Sequence, residues 1–162
     1  MIVVADTTPI NYLVLIGYPS VLRDLFEEVI LPRAVFQELQ SPQAPDEIRV
    51  WCASVPDWCR VESVTAVPAD LMHLGAGERE AIALTEQLTA DLLLIDEGRG
   101  RRAARQRGLP ITGTIGILHQ AAAMGLIDID TAVERLQRTT FRASAALLKT
   151  LTELKAKKSG QE

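Results

Sequence analysis

The sequence predicts a three-layer α/β/α sandwich around a central, mainly parallel sheet of four to five strands. Three observations predict it. Apolar runs at residues 2–5, 29–31 and 92–95 do not alternate with polar residues, which marks strands covered on both faces. Helical patterns lie between these runs, and strands alternating with helices build parallel sheets. No internal repeat or linker-like stretch divides the chain.

The first run, Ile2-Val3-Val4-Ala5, ends at Asp6. Thr7-Thr8-Pro9 then reads as a helix start, with Thr8 as N-cap and Pro9 in the first helical position. That helix runs through Leu13 and Ile16 to Gly17, and a short second helix spans residues 19–25. Val29-Ile30-Leu31 is the second strand, and Pro32 opens a helix through Leu39. A Pro-rich break at residues 41–45 precedes another helix and an edge strand around residues 60–64. Gly75-Ala76-Gly77 introduces a helix over residues 78–88. The third buried strand, residues 92–95, ends at Asp96. A basic helix follows, closed by Gly108 as a C-cap glycine. Pro110-Ile111-Thr112 is a short strand, after which Gly113-Thr114 caps a helix to Met124-Gly125. Two amphipathic helices, residues 130–137 and 144–155, complete the pattern.

With 162 residues the chain suits one domain and needs no disulfide or metal to fold. Apolar residues are 48% and charged residues 23%, which excludes disorder. The formal net charge of -4 excludes a bulk basic nucleic-acid binder. It leaves a nuclease open, because a carboxylate-rich active site is itself acidic. Cys52 and Cys59 lack the spacing of a zinc knuckle, and two cysteines read as a reducing setting. The opening residues have no basic n-region, and no apolar stretch approaches the ~20 residues that span a bilayer. A cytoplasmic protein with no membrane association is the expectation.

Asp6 and Asp96 each follow a buried strand. In a parallel sheet both carboxylates reach the C-terminal edge, where open α/β sheets place ligands. The alternative is a turn or cap role for each. Glu38 falls on the apolar side of its helix, where a carboxylate needs a metal or a partner such as arginine. Glu78, in the first turn of its helix, either complements the helix dipole or leans towards the sheet edge. Four converging carboxylates need a cation. An all-oxygen site selects a hard ion, Mg²⁺ or Mn²⁺, suited to phosphodiester chemistry. His73 and His119 have no ligand partner at useful spacing and read as core or surface residues.

After Asp96, residues 97–107 carry five arginines and one acid. Arg99, Arg101 and Arg102 stand near the helix start, against the dipole. Phosphate binding is one reason for that placement, and a solvated charged face is the other. Thr7 and Asn11 after the first strand, and Thr112 after the fourth, surround the same edge and could hold phosphate oxygens or metal-bound water. Thr8 and Thr114 read as capping residues.

Asp6-Thr7-Thr8-Pro9-Ile10-Asn11, Leu31-Pro32 with Glu38-Leu39, Gly77-Glu78-Arg79-Glu80-Ala81-Ile82 and Leu94-Ile95-Asp96 together resemble the PIN domain, in its prokaryotic branch similar to VapC-type toxins. Order and spacing carry the resemblance, across residues 1–127 as the catalytic domain, with residues 128–162 as its C-terminal helical extension. It implies a metal-dependent endoribonuclease acting on RNA. The implied catalytic quartet is Asp6, Glu38, Glu78 and Asp96, with Asp6, Asp96 and Glu78 as ligands to Mg²⁺ or Mn²⁺. Thr7, Asn11, Arg99, Arg101, Arg102 and Thr112 would contact the substrate. Many PIN domains place an acid in the turn after the fourth strand, whereas here Ile111-Thr112-Gly113-Thr114 has none. Glu97 is the nearest spare carboxylate.

The branch implies a toxin paired with a cognate antitoxin protein, and a homodimer, for which the stripe Leu147, Leu148, Leu151 and Leu154 is a candidate surface. The competing reading is that the stripe packs on the domain's own core. The alternative function is a catalytically degenerate PIN-fold module that binds RNA or protein. A dehalogenase-type phosphatase is disfavoured because Thr8 stands where it needs an aspartate, and a receiver domain lacks its paired acid and late lysine.

Overall fold

The computed structural model describes residues 1–96 and 98–142. The chain divides into two compact units, Met1–Thr114 and Ile115–Glu162. The first unit contains strands β1 (Val3–Ala5), β2 (Val29–Pro32), β3 (Cys59–Glu62), β4 (Leu92–Leu94) and β5 (Ile111–Thr112). It also contains helices α1 (Thr7–Leu15), α2 (Val21–Phe26), α3 (Arg33–Leu39), α4 (Asp46–Ala53), α5 (Ala76–Gln87) and α6 (Gly98–Gln106). Helices α7 (Thr114–Ala123) and α8 (Ile129–Gln137) follow. The sheet order is β3-β2-β1-β4-β5, and every pairing is parallel.

The unalternating apolar runs form the inner strands because both faces are covered. Val4, Ile30, Leu93 and Ile95 point to one face, where they pack with Leu71, Leu74, Ala81, Ile82, Leu84 and Ala104. Val3, Ala5, Leu31 and Leu94 are equally buried and, by the period of two, point the other way. The result is the three-layer fold, with five strands, all parallel. Burying a side chain such as Leu93 contributes about 1.5–3 kcal/mol. Strand β3 is an edge strand, as its mixed pattern of Arg60, Val61 and Glu62 requires.

The chain order places the site. From β1 the chain builds outward through β2 to β3, then returns to the other side of β1 for β4 and β5. The direction reverses between β1 and β4, which is the switch point where open α/β sheets leave a crevice. The register pairs Ala5 with Leu94, and the Asp6 N–H donates to the Leu94 carbonyl at 2.9 Å. Asp6 and Asp96 therefore leave neighbouring parallel strands at the same edge.

Several helix starts differ from expectation by one or two residues, α2 beginning at Val21, α3 at Arg33 and α5 at Ala76. Helix α1 begins at Thr7 with Asp6 in the N-cap position, so Thr8 is not the cap. Asp6 is still extended (φ -79°, ψ 172°), and Pro9 is accommodated within the first turn, where N–H groups lack helical partners. Helix α8 starts at Ile129, because the Asp128 carboxylate accepts from the Thr131 N–H at 3.0 Å. In the second unit α8 buries Ile129, Ala132, Val133 and Leu136, an amphipathic spacing. The helix expected over residues 144–155, with its leucine stripe, and Glu97 lie outside the described residues. Among the described residues no helix is long and apolar enough to cross a membrane.

Candidate active site

Asp6 is buried, at 2% exposure, where β1 passes directly into α1. Asp96 lies two residues beyond β4, and both of its carboxylate oxygens are held. The Thr114 N–H donates to Oδ1 at 2.8 Å, and the Thr114 hydroxyl donates to Oδ2 at 2.5 Å. Thr114 is fully buried, so its hydroxyl points inward to this carboxylate rather than serving as a helix cap. Burial pushes the Asp96 carboxyl above its ordinary value, while the two Thr114 hydrogen bonds and the Arg101 guanidinium pull it partly back.

Arg101 comes from α6, and its Nη1 donates to the Ile95 carbonyl at 2.8 Å. One end of this guanidinium is thereby anchored to the end of β4, beside Asp96. Arg99 reaches the His73 carbonyl with Nη2 at 3.4 Å. Arg102 is exposed and, among the described residues, has no partner.

Glu38 is exposed, not turned into the apolar side of α3 as its spacing suggests. No arginine pairs with it. The Gly77 N–H donates to Oε1 at 2.9 Å and the Thr7 hydroxyl donates to Oε2 at 2.5 Å. Helix α3 packs against both α1 and α5, and Glu38 is the link among all three. Thr7 is thus a holder of Glu38. Asn11 sits one turn farther along α1, and its side chain makes no hydrogen bond among the described residues. Thr112 takes part through its backbone, its carbonyl accepting from the Ile95 N–H at 2.8 Å.

Close glycine contacts lie at Glu38, Glu78 and Asp96, and the Thr7 hydrogen bond to Glu38 ties Asp6 to them. A Cβ on Gly77 would fall 2.6 Å from Oε2 of Glu38. On Gly100 it would fall 2.9 Å from Oε2 of Glu78 and 2.8 Å from Cδ1 of Ile95, which puts Glu78 at the exit of β4. On Gly113 it would fall 2.4 Å from Oδ1 of Asp96 and 2.8 Å from Nη1 of Arg101. Contacts therefore run from Asp6-Thr7 to Glu38, through Gly77-Glu78 to Gly100, and on by Ile95 to Asp96 and Gly113. At Glu38, Glu78 and Asp96 the main chain approaches to a distance that a side chain would prohibit.

Among the described residues no three Asp, Glu, His or Cys side chains converge on a common point for an ion. The donor chemistry nevertheless fits a hard divalent cation, because the acids at this edge are all oxygen donors. Hydrogen bonds of the Thr114–Asp96 kind are what orient such ligands.

Sequence spacing singled out the four acids as candidates but not what holds them. The Thr114 hydroxyl, the Arg101 anchor and the glycine contacts depend on elements meeting in space. One signal was available: Gly113-Thr114 directly follows the short strand at the same edge as Asp96.

A family model described as a PIN domain (DUF3368) matches residues 2–157. Among solved structures the chain is similar to a PilT N-terminus domain protein from the hyperthermophilic archaeon Sulfolobus solfataricus P2. That likeness has 12% sequence identity and a TM-score of 0.49, and covers 88% of this chain and 100% of the other. No curated protein matches. The family match takes in β1 to β5 and all four acids, and on it the chain belongs to the PIN domain family.

Proposed function

We propose that the chain is a divalent-metal-dependent endoribonuclease that hydrolyses RNA phosphodiesters at the edge between β1 and β4. PIN domains are generally nucleases, which supports the reaction class. The observation that carries the reading is the arrangement at the topological switch point: Asp6 leaves β1 bonded to the end of β4, its neighbour Thr7 holds Glu38, and close glycine contacts are made at Glu38, Glu78 and Asp96.

In this reading Asp6, Asp96 and Glu78 hold Mg²⁺ or Mn²⁺. The bound ion supplies charge neutralisation at the phosphate and a water of lowered pKa. Thr114 fixes the Asp96 carboxylate, and Thr7 and the Gly77 N–H fix Glu38, so that both carboxylates meet substrate in a set orientation. Arg101 stands beside Asp96 with one end anchored, leaving the rest of its fork for a phosphate oxygen. Arg99 and Arg102 add positive charge along α6, and Asn11 and Thr112 offer polar groups to the backbone. Within the same reading the chain is a cytoplasmic homodimer and the toxin of a pair with an antitoxin protein. A gene immediately upstream for a small DNA-binding protein with an acidic or amphipathic tail supports that role, and a lone gene counts against it.

The test is RNA cleavage with Mg²⁺ or Mn²⁺, with and without chelator, by wild type and Asp96→Asn. Cleavage by wild type alone, abolished by chelator, is expected. Equal cleavage by both proteins, or indifference to chelator, overturns the reading. A second reading, the degenerate binding module, is favoured by the engagement of both Asp96 oxygens by Thr114. Binding of RNA by both proteins without cleavage by either would establish it.

A further inference from the structure

The first unit carries a polar cavity of about 370 Å³ that the acidic edge does not use. Its polar walls are Arg33 and Gln37 from α3, Glu80 from α5, and Ser63 and Thr65 from the segment after β3. The valines of that segment add apolar surface. Its volume is within the roughly 300–1,000 Å³ of small-ligand sites.

Two hydrogen bonds fix the walls and leave groups over. Arg33 Nε donates to the Ser63 hydroxyl oxygen at 3.1 Å, so both terminal NH₂ groups remain. Glu80 accepts from the Ala34 N–H at 3.2 Å through Oε1, so Oε2 remains. Among the described residues neither side chain enters an ion pair, although both line one cavity. The Gln37 amide and the Thr65 hydroxyl likewise have no partner among the described residues. A cationic fork and a carboxylate kept apart in one recess match a ligand edge that presents acceptors beside donors. Glu80 opposes a phosphate here, and the polar walls oppose a purely apolar ligand. Guanine has the matching edge: O6 and N7 accept from an arginine fork, while N1–H and the 2-amino group suit a carboxylate.

Helices α3 and α5 carry two of the acids and also wall the cavity, on other faces: Gln37 is turned about 100° from Glu38 and Glu80 about 200° from Glu78 around their helices. Sequence-specific RNA readers hydrogen-bond to the exposed edges of unpaired bases. We propose that this cavity is a base-recognition subsite that takes an unpaired guanine flanking the bound phosphodiester, an inference that rests on the chain being an RNA-binding protein.

The test uses the full chain and pentaribonucleotides that differ only in one base: guanine, inosine, adenine, cytosine or uracil. Binding is read by fluorescence anisotropy with Asp96→Asn, and cleavage by kcat/KM with wild type. The guanine oligonucleotide should be preferred by roughly 10- to 100-fold, with inosine intermediate because it lacks the 2-amino group. Adding Arg33→Ala or Gln37→Ala should bring its affinity down towards that of the others. Arg33 and Gln37 are exposed, so neither change removes core packing, and a thermal melt confirms folding. Absence of any base preference, or a preference that both variants retain, overturns the subsite. Cleavage without base preference overturns the subsite and leaves the nuclease reading standing. Guanine-selective binding without cleavage, lost in the variants, upholds the subsite while the nuclease reading falls. Failure to bind RNA at all overturns both.

Discussion

Replacing Gly113 by alanine puts one methyl group where the site has no room for it. The new Cβ would lie 2.4 Å from Oδ1 of Asp96, against an ordinary contact of at least 3.4 Å, so about 1 Å must be found. The Ile95 carbonyl, at 3.4 Å, limits retreat on that side. If Asp96 moves by 1 Å, its bonds to Thr114, now 2.5 and 2.8 Å, stretch to the limit of hydrogen bonding or beyond. Losing one hydrogen bond to a charged group costs about 1.5–3 kcal/mol, and overpacking of this kind costs about 1–3 kcal/mol of stability. A 1 Å error in a catalytic ligand lowers turnover by about 100-fold. The assay is RNA cleavage across a Mn²⁺ titration, with thermal melts alongside. Gly98→Ala is the matched control, because its Cβ meets nothing within 4 Å. If Gly113→Ala folds and cleaves within twofold of wild type, the cradle argument is refuted. If it does not fold, Gly100→Ala carries the same test at Glu78.

Asp96→Asn should raise stability at neutral pH without divalent metal. The folded chain holds the Asp96 proton to higher pH than the unfolded chain, so wild-type stability falls as pH rises from the ordinary value of 3.8 through the folded value. The variant should lose that slope in melts from pH 3 to 8, and an identical slope would contradict the assignment. Thr114→Val keeps the shape but removes the donor to Oδ2 of Asp96; it should weaken Mn²⁺ activation of cleavage by about tenfold, read as a shift in metal midpoint. Arg107 bonds Glu86 and Asp70, each at 2.6 Å, so Arg107→Ala should destabilise by about 1 kcal/mol in urea melts with activity retained. Burial, and then the neighbouring Cys52 thiol, push Cys59 up to about 12, so native protein at pH 8 should resist iodoacetamide at this thiol until urea unfolds it. Rapid alkylation of the folded chain would count against that burial.

The strands were legible because a residue buried on both faces must be apolar, as Val3, Val4, Leu93 and Leu94 are. The two aspartates at strand ends were legible for a related reason: a charge is tolerated only where the buried run stops. What failed was inference across elements. Glu38 falls on the apolar stripe of α3 by angle, yet its carboxylate is exposed, because Thr7 and Gly77 hold it at the rim. Periodicity within one helix cannot represent partners supplied by two others. Thr8 looked like a cap because Pro9 follows it, but the strand runs straight into the helix and moves the cap back to Asp6. Glycines carry no functional group, so Gly77, Gly100 and Gly113 gave no sign in the sequence of the close approach that each allows.

The pairing of Val3 with Leu92 joins positions 89 residues apart, and it has a consequence during synthesis. Until β4 has been made and has docked on β1, the edge between Asp6 and Asp96 does not exist. At about 5–20 residues per second, roughly 4–18 s separate translation of the two strands. Through that interval the nascent chain carries one aspartate of the pair and has nowhere to assemble the site. On the proposed function, the chain would emerge from the ribosome inactive. It would acquire the capacity to cut RNA only after most of its first unit has left the machine that an RNA message is driving.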